Sequence, residues 1–186
     1  MKLLLSVLFT FCVFTSTAQN SLNESLKQLM IKEWERARAY TQEYLDAMPA
    51  DKYGFRAVDS IRSFSEQMLH LAFANVGMTT IGTGIKNADV QNKFFRPDFE
   101  KSPTAQNKDS VVYYVNASYD FAISAIKNLD FGKVEEIVSR DMPGGKRSAS
   151  RLAWLLKAFE HQTHHRGQCT IYIRLLGIRP PGEKLW

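Results

Sequence analysis

Three of the four histidines in this chain fall where they could bind one metal ion together. His161 and His165 are four residues apart in a segment with helical periodicity, so both imidazoles project from the same face of the predicted helix. Two imidazole nitrogens in that arrangement can bind the same divalent ion. His70 belongs to another predicted helix, and antiparallel packing of the two helices could bring it opposite the pair. The result would be a three-histidine site with water on the remaining positions, as in catalytic metal sites.

The same residues also have simpler interpretations. A histidine pair with helical spacing often occurs by chance, and His70, on a mostly apolar helix, could be a core histidine with satisfied hydrogen bonds. His164 points away from the pair and is predicted to be peripheral. The sequence has no His-Glu-x-x-His motif, because Glu160 precedes His161, and it has neither a Glu-x-x-His pair nor a phosphate-binding glycine loop.

Apolar residues at three- and four-residue steps predict four long helices. Pro49 should end the first helix, and Gly177 with the prolines that follow it should end the fourth. The fold class is therefore predicted to be all-α, a four-helix bundle with a long helix 2–helix 3 connection. The predicted helices cover residues 21–48, a segment that begins at Asp59 or Ser60 and ends near 77–84, residues 108–129 with Asp109 or Ser110 as the start signal, and residues 148–176.

Two connections between these helices are long. The 78–107 connection would be unusual as a structureless loop in a compact domain, so we expect short helical turns packed over one end of the bundle. Within it, Phe94, Phe95 and Phe99 could cover the site as a lid, but core packing at the bundle end is the simpler interpretation. The 131–146 connection is predicted to hold a short extended piece and a turn.

The beginning of the chain has the pattern of an export signal. Lys2 precedes an apolar run of about twelve residues that ends at Phe14, shorter than the roughly twenty residues that span a bilayer, and small residues lead to Ala18. We predict a signal peptide at 1–18 with cleavage near Ala18, and a single domain at 19–186. The mature protein would be periplasmic or secreted, without a stable membrane anchor. An uncleaved anchor or a buried N-terminal helix is the alternative.

The composition excludes several other classes of protein. Of the 186 residues, 45% are hydrophobic and 23% are charged, which is typical of an ordinary globular domain. The net charge of +5 is small and spread along the chain, so nucleic-acid binding is not expected. Removal of the signal peptide would also remove Cys12, and Cys169 would then have no disulfide partner in the chain. Cys169 lies in an apolar-rich helical segment and is predicted to be buried and inert.

The segment 161–168, His-Gln-Thr-His-His-Arg-Gly-Gln, and the segment 175–181 resemble the last helix of the DinB/YfiT-like family. Residues 48–56 resemble the first connection of that family, and residues 63–75 resemble its second helix, so the resemblance covers the mature chain in order. It implies a four-helix bundle and a homodimer. It also implies that three histidines hold a divalent ion: His70, His161 and His165.

Some members of that family are thiol-dependent transferases or isomerases in which a metal activates a low-molecular-weight thiol. The export signal distinguishes this chain from them, and their cytosolic thiols are not expected outside the cytoplasm, so the substrate does not carry over. We expect an exported, divalent-metal-binding protein with hydrolase or thiol-dependent transferase chemistry on an unknown small molecule. The alternatives are a non-enzymatic bundle that the metal stabilises and a small-molecule-binding protein.

Several residues near the histidines have predicted roles. Imidazole suits zinc, nickel, iron and copper, and the sequence does not select among them. We expect a divalent transition metal, with zinc or nickel first and iron or manganese as alternatives. Glu66 and Gln67, one turn before His70, are candidates to orient the ligands, and Glu66 could instead be a fourth ligand or a solvated helix residue. Arg166 is expected at the surface or in an ion pair between helices, with a substrate anchor as the alternative. Gly167 is expected where another helix or a ligand approaches closely.

Overall fold

A computed structural model describes the backbone of residues 2–142 and 144–186, and the side chains of residues 19–142 and 144–186. The side chains of the predicted signal peptide therefore lie outside the described part. Four long helices form a bundle, which confirms the predicted all-α fold class. The elements are α1 (Lys2–Ala47), α2 (Phe64–Thr83), α3 (Ala88–Phe94), α4 (Lys108–Asn128), β1 (Ile137–Met142), β2 (Gly145–Ser150) and α5 (Arg151–Leu175), with short 3-10 turns at Ala50–Lys52 and Phe131–Lys133.

Helix α1 is longer than the sequence analysis predicted. It begins at Lys2 and not near Ser21, because no proline or glycine interrupts the chain before it ends at Ala47. Pro49 follows directly after this end, as predicted. Among the residues searched, no helix combines the length and the apolar character that are needed to cross a membrane.

Helix α2 begins at a different capping residue from those predicted. The Ser63 hydroxyl accepts a hydrogen bond from the Glu66 backbone N–H (3.2 Å), and the Glu66 carboxylate accepts one from the Ser63 backbone N–H (2.8 Å). This reciprocal pair satisfies two donors of the first turn, so the predicted start at Asp59 or Ser60 was wrong. The helix ends at Gly84, whose φ of 75° is in the left-handed region that glycine adopts without strain.

Helix α4 begins at Lys108 as predicted but with another cap, and the predicted start of the last helix was wrong by less than one turn. The Asn107 side chain caps α4 by accepting from the Ser110 backbone N–H (2.9 Å), so neither Asp109 nor Ser110 is the cap. The Ser150 hydroxyl caps α5 by accepting from the backbone N–H of the third helical residue (3.2 Å). The residues from Ser148 to this cap belong to β2 and not to the helix.

Helix α2 lies at the centre of the bundle and packs against both α4 and α5, whereas α1 packs mainly against α4. Trp34 of α1 is fully buried and meets Tyr119 of α4 and Phe159 of α5 edge to face, each at a centroid distance of 5.8 Å. Such aromatic contacts add to the free energy of apolar burial. This cluster joins α1 to α4 and α5.

The 78–107 connection is ordered by α3 and by aromatic packing. Phe94 and Phe99 are buried, with centroids 5.3 Å apart, and both contact Tyr114 of α4. The predicted helical turns are therefore confirmed, and so is core packing as the interpretation of these two phenylalanines. Phe95 differs, because 41% of it is exposed.

The 131–146 connection leads into an antiparallel hairpin, which confirms the predicted extended piece and turn. Met142 at the end of β1 pairs with Gly145 at the start of β2. Gly144 and Gly145 have φ values of 88° and 110°, which L-residues with side chains rarely adopt. The hairpin leads directly into α5 and so fixes where the last helix begins.

Candidate metal centre

The predicted antiparallel packing of α2 and α5 is confirmed by contacts along their length. Gln67 near the start of α2 contacts Tyr172 near the end of α5. Gly82 near the end of α2 lies against the beginning of α5, so closely that a Cβ at this position would be 2.9 Å from Leu155 Cγ. This opposite order brings the middle of α2, which carries His70, beside the middle of α5.

Three histidines converge at this crossing. The ring centroids of His161 and His165 are 4.4 Å apart, and the His70 ring lies 4.6 Å from His165 and 5.2 Å from His161. One nitrogen from each ring lies within 4.8 Å of the other two, so the three residues could hold one metal ion. The predicted convergence of imidazoles from distant segments is confirmed. His164 is exposed, and its Nε2 accepts a hydrogen bond from Gln168 Nε2 (3.0 Å), as expected for a peripheral residue.

His70 is oriented by residues that the sequence analysis missed. Its Nδ1 lies 2.6 Å from Glu100 Oε1, and the second carboxylate oxygen accepts a hydrogen bond from Arg62 Nε (3.0 Å). A carboxylate only accepts, so His70 Nδ1 carries a proton, and Nε2 is the nitrogen left for a metal ion. Glu100 belongs to the 78–107 connection, where no periodicity or motif relates it to His70.

His165 is oriented by Gln67, one of the two residues proposed for that role. The Nδ1–H of His165 donates to Gln67 Oε1 (2.7 Å), and Gln67 Nε2 donates to the Tyr172 hydroxyl (3.4 Å). Tyr172 in turn donates to the backbone carbonyl of Arg62 (2.5 Å). This chain of hydrogen bonds fixes the orientation of the amide and leaves Nε2 of His165 uncommitted.

Glu66, the other residue considered for this role, lies at the beginning of α2 with its carboxylate already engaged. One oxygen accepts from the Ser63 backbone, and the other accepts from Arg56 Nη2 (2.6 Å). Glu66 is 6% exposed, so it is not the solvated helix residue of the alternative interpretation. Its contacts are those of a helix cap, and the described cluster that could hold a metal does not include it.

His161 provides the test of whether a metal fits this cluster. Its Nδ1 is buried and has no hydrogen-bond partner among the described residues. Leaving a buried polar atom unpaired costs about 1–3 kcal/mol. A partnerless nitrogen among converging imidazoles, two of which are already oriented by hydrogen bonds, fits the binding of a cation better than it fits a closed hydrogen-bond network.

Burial keeps two of these imidazoles neutral. Burial and the nearby His70 ring lower the pKa of His161 to about 4. Burial and the neighbouring His161 and His70 rings lower the pKa of His165 to about 3. Burial alone would raise the pKa of Glu100, but His70 and Arg62 outweigh it and lower that pKa. At pH 7 the site therefore offers neutral imidazoles, the form that binds metals, beside a charged carboxylate.

The cluster lies at the surface of the bundle. His70 and His161 are partly exposed, whereas only 6% of His165 is exposed. Phe73 is one turn after His70 on α2, and it packs edge to face against Phe95 at 5.2 Å. Of the three phenylalanines considered as a lid, only Phe95 is therefore exposed beside the face of α2 that carries His70.

Two predictions about the residues after His165 were wrong. Arg166 is neither at the surface nor in an ion pair: it is 5% exposed, donates to Gln162 Oε1 (2.7 Å), and lies 4.6 Å from the Tyr40 ring centroid. The packing of α1 against α5 encloses it and supplies neutral acceptors. Gly167 is exposed, and a Cβ at this position would meet nothing within 4 Å, so no other helix approaches closely there.

The fold and this cluster define a class of protein: an antiparallel helical bundle with three histidines that could hold a metal ion. The family comparison is consistent with that class. The model of the DinB family matches residues 19–185, and the chain belongs to the DinB family. A search of curated proteins finds no match.

Solved structures share this fold at low sequence identity. A DinB-like protein from Bacillus cereus is 20% identical, with a TM-score of 0.65 over 83% of this chain and 95% of that one. A DinB-like protein from Bacillus subtilis is 16% identical, with a TM-score of 0.62 over 85% and 96% of the two chains. A conserved protein from Enterococcus faecalis is 18% identical, with a TM-score of 0.62 over 81% and 96%.

Proposed function

We propose that this chain is an exported DinB-family protein that binds one divalent transition-metal ion through His70, His161 and His165. We further propose that it acts on a small molecule as a metal-dependent hydrolase or a thiol-dependent transferase. The observation that carries the proposal is the convergence of three imidazole nitrogens within 4.8 Å at a partly exposed crossing of α2 and α5.

The protein residues would prepare the site before any ion binds. Glu100 and Gln67 accept the Nδ1 protons of His70 and His165, so both rings are held with Nε2 available. Low pKa values keep His161 and His165 neutral at pH 7, so few protons compete with the ion. Imidazole ligands support zinc or nickel first, with iron or manganese as alternatives.

A divalent ion held by neutral ligands keeps its full charge and would supply Lewis acidity, which makes a coordinated water or thiol much more acidic. Structural metal sites are usually closed by four protein ligands, whereas this cluster offers three. Three ligands and partial exposure support a catalytic site over the competing function, a non-enzymatic bundle in which the ion only joins α2 to α5. The homodimer stays a prediction from the sequence, and the substrate is an unknown small molecule.

The metal content of the purified protein tests the site. Wild-type protein should contain about one transition-metal ion per chain by elemental analysis, and His165→Ala should lose it because one of three ligands is removed. His164→Ala is the matched control, since His164 is the exposed neighbour outside the cluster, and it should keep the ion. Full metal content in His165→Ala, or none in the wild type, would contradict the proposal.

The location is tested separately. Expressed in a bacterium with a periplasm, the full chain should be recovered from the periplasmic fraction, and mass spectrometry should find a mature N-terminus after Ala18. An intact Met1 on protein recovered from the cytoplasm would refute the export part of the proposal. It would leave the metal site unaffected.

A further inference from the structure

Glu100 joins the 78–107 connection to α2 and to the loop directly before α2. It lies thirty residues after His70, and its carboxylate, with 25% of the side chain exposed, is between His70 and Arg62. Oε1 is 2.6 Å from His70 Nδ1, and Oε2 is 3.0 Å from Arg62 Nε. One side chain of the 78–107 connection therefore contacts both α2 and the loop that precedes it.

The protons in this group can be assigned from the chemistry of the three side chains. Arg62 can only donate and Glu100, when ionised, can only accept, so the proton between His70 and Glu100 belongs to Nδ1 of the imidazole. Arg62 Nη2 also lies 3.3 Å from His70 Nδ1, but a protonated Nδ1 cannot accept from it. The useful partner of Arg62 is therefore the carboxylate, which it holds in place against the ring.

The backbone around Glu100 is fixed by packing and not by the carboxylate alone. The preceding residue, Phe99, is 2% exposed and packs against Phe94 and Tyr114. The backbone carbonyl of Glu100 accepts from Gln106 Nε2 (3.0 Å). The connection therefore presents the carboxylate from a packed position.

We propose that Glu100 is a positioning residue of the metal centre, which holds the His70 ring with a proton on Nδ1 and directs Nε2 towards His161 and His165. Its effect on metal affinity rests on the proposed function above. Its effect on the imidazole tautomer does not, because that contact exists without an ion. Through Glu100, the 78–107 connection becomes part of the site although it supplies no ligand.

Metal affinity is the first readout. Zn²⁺ binding to the full chain is measured by competition with a chromophoric chelator for the wild type, Glu100→Gln and Glu100→Ala. Loss of a hydrogen bond to the second nitrogen of a histidine ligand typically weakens metal binding about 10–100-fold. We expect a loss near the lower end for Glu100→Gln, which keeps an acceptor oxygen, and near the upper end for Glu100→Ala.

Asp98→Asn is the matched control, because Asp98 is an exposed acid in the same connection. It should bind Zn²⁺ within about twofold of the wild type, since the Asp98 side chain is exposed to solvent and interactions between exposed charges are weak in water. Thermal unfolding of each metal-free variant identifies any variant that fails to fold. Wild-type affinity in both Glu100 variants, or an equal loss in Asp98→Asn, would overturn the proposal.

The second readout is the His70 tautomer in the metal-free protein, from long-range proton–nitrogen NMR correlations. The wild type should show the Nδ1–H form, and Glu100→Ala should show a mixture that includes Nε2–H. An Nε2–H form in the wild type, or an unchanged tautomer in Glu100→Ala, would overturn the positioning role. If the wild type shows the expected tautomer but binds no metal, the positioning contact stands and the proposed function fails. If the wild type binds metal and the Glu100 variants bind it equally well, only the positioning role in the metal centre fails.

Discussion

Two neighbouring faces of α5 carry pairs of polar residues with the same four-residue spacing. The two pairs face different helices and have different hydrogen-bond partners. His161 and His165 face α2, where His161 is partly exposed and His165 is buried, whereas Gln162 and Arg166 face α1 and α4 and are both buried. The two pairs differ by one position in the sequence, which is a rotation of about 100° around the helix. Comparing the two pairs shows how the surrounding helices determine the hydrogen bonds of polar residues with the same spacing.

Gln162 and Arg166 are both hydrogen-bonded inside the core. Gln162 Oε1 accepts from the Tyr119 hydroxyl (2.8 Å) and from Arg166 Nη1 (2.7 Å). Arg166 also reaches the Thr41 hydroxyl (3.3 Å), and its guanidinium lies over the Tyr40 ring. The buried guanidinium is thus paired with neutral acceptors through Nη1 and with an aromatic ring, so the pair has a structural role.

The histidine pair makes fewer hydrogen bonds than Gln162 and Arg166. His165 uses only Nδ1, in its contact with Gln67, and His161 Nδ1 has no partner among the described residues. The lesson is that helical spacing alone does not distinguish a ligand pair from a structural pair. The distinction is whether the surrounding segments occupy the lone pairs.

One substitution in each of the two pairs should give the largest effects. The comparison fails if the two substitutions do not differ in their effects on stability and on metal binding. Gln162→Met keeps the volume of the side chain but removes the acceptor of Arg166 and Tyr119, so we expect it to lower the free energy of unfolding by about 2–3 kcal/mol. His161→Ala should change that free energy much less and should abolish stoichiometric metal binding. Chemical denaturation of the metal-free proteins and elemental analysis measure the two effects.

Each substitution should therefore change one property, stability or metal binding, much more than the other. Gln162→Met should retain about one metal ion per chain, because none of the three candidate ligands is altered. Metal loss in Gln162→Met with intact folding, or a larger stability loss in His161→Ala than in Gln162→Met, would show that the two faces are not separate in function.

Acid should destabilise the metal-free protein through the histidine pair. The folded-state pKa values of about 4 for His161 and about 3 for His165 are below the ordinary 6.5. Below pH 6.5 the unfolded chain therefore takes up protons that the folded chain does not, and stability falls as the pH decreases towards those values. With up to about 1.4 kcal/mol per pH unit for each group, reduced by partial exposure and mutual coupling, we expect a loss of about 2 kcal/mol between pH 6.5 and 4.5.

Urea denaturation with a chelator present measures this loss. A His161→Gln, His165→Gln double variant is the control, because glutamine does not titrate in this range. Its stability should fall more slowly with decreasing pH than that of the wild type. Equal slopes for the two proteins would place the origin of any acid sensitivity elsewhere in the chain.

The smallest effect is expected at Cys169, which continues the row of His161 and His165 by one more helical turn. Cys169 is fully buried, and burial raises the pKa of its thiol, so it is the inert residue that the sequence predicted. Cys169→Ala should lower the free energy of unfolding by about 1 kcal/mol and leave the metal content unchanged. A loss of metal would make Cys169 a fourth ligand, in addition to His70, His161 and His165.

Local patterns predicted much of this fold and part of the site. The apolar periodicity located four long helices, and Pro49 marked the end of the first. The four-residue spacing predicted the shared face of His161 and His165, and antiparallel packing added His70. These features depend on residues within a few turns of one another, or on the way neighbouring helices pack.

Other features could not be predicted because they depend on contacts between distant segments. Glu100 lies in a connection without a motif, so nothing in the sequence relates it to His70. Arg166 was expected to be accessible because arginine is rarely buried, but the helices around it provide acceptors and an aromatic surface. Ser63 was missed as a cap because Asp59 and Ser60 have the same capping chemistry, and only the chain path selects among them.

The sequence by itself determined which segments are helical, where they must end and which side chains can act as metal ligands, because these properties follow from residue type and short-range spacing. The tertiary structure alone decided which nitrogen of His70 and of His165 is engaged in a hydrogen bond. Hydrogen-bond partners such as Glu100 and Gln67 approach only when the whole core packs. The free energy that holds them there is therefore a property of the bundle and not of any one segment.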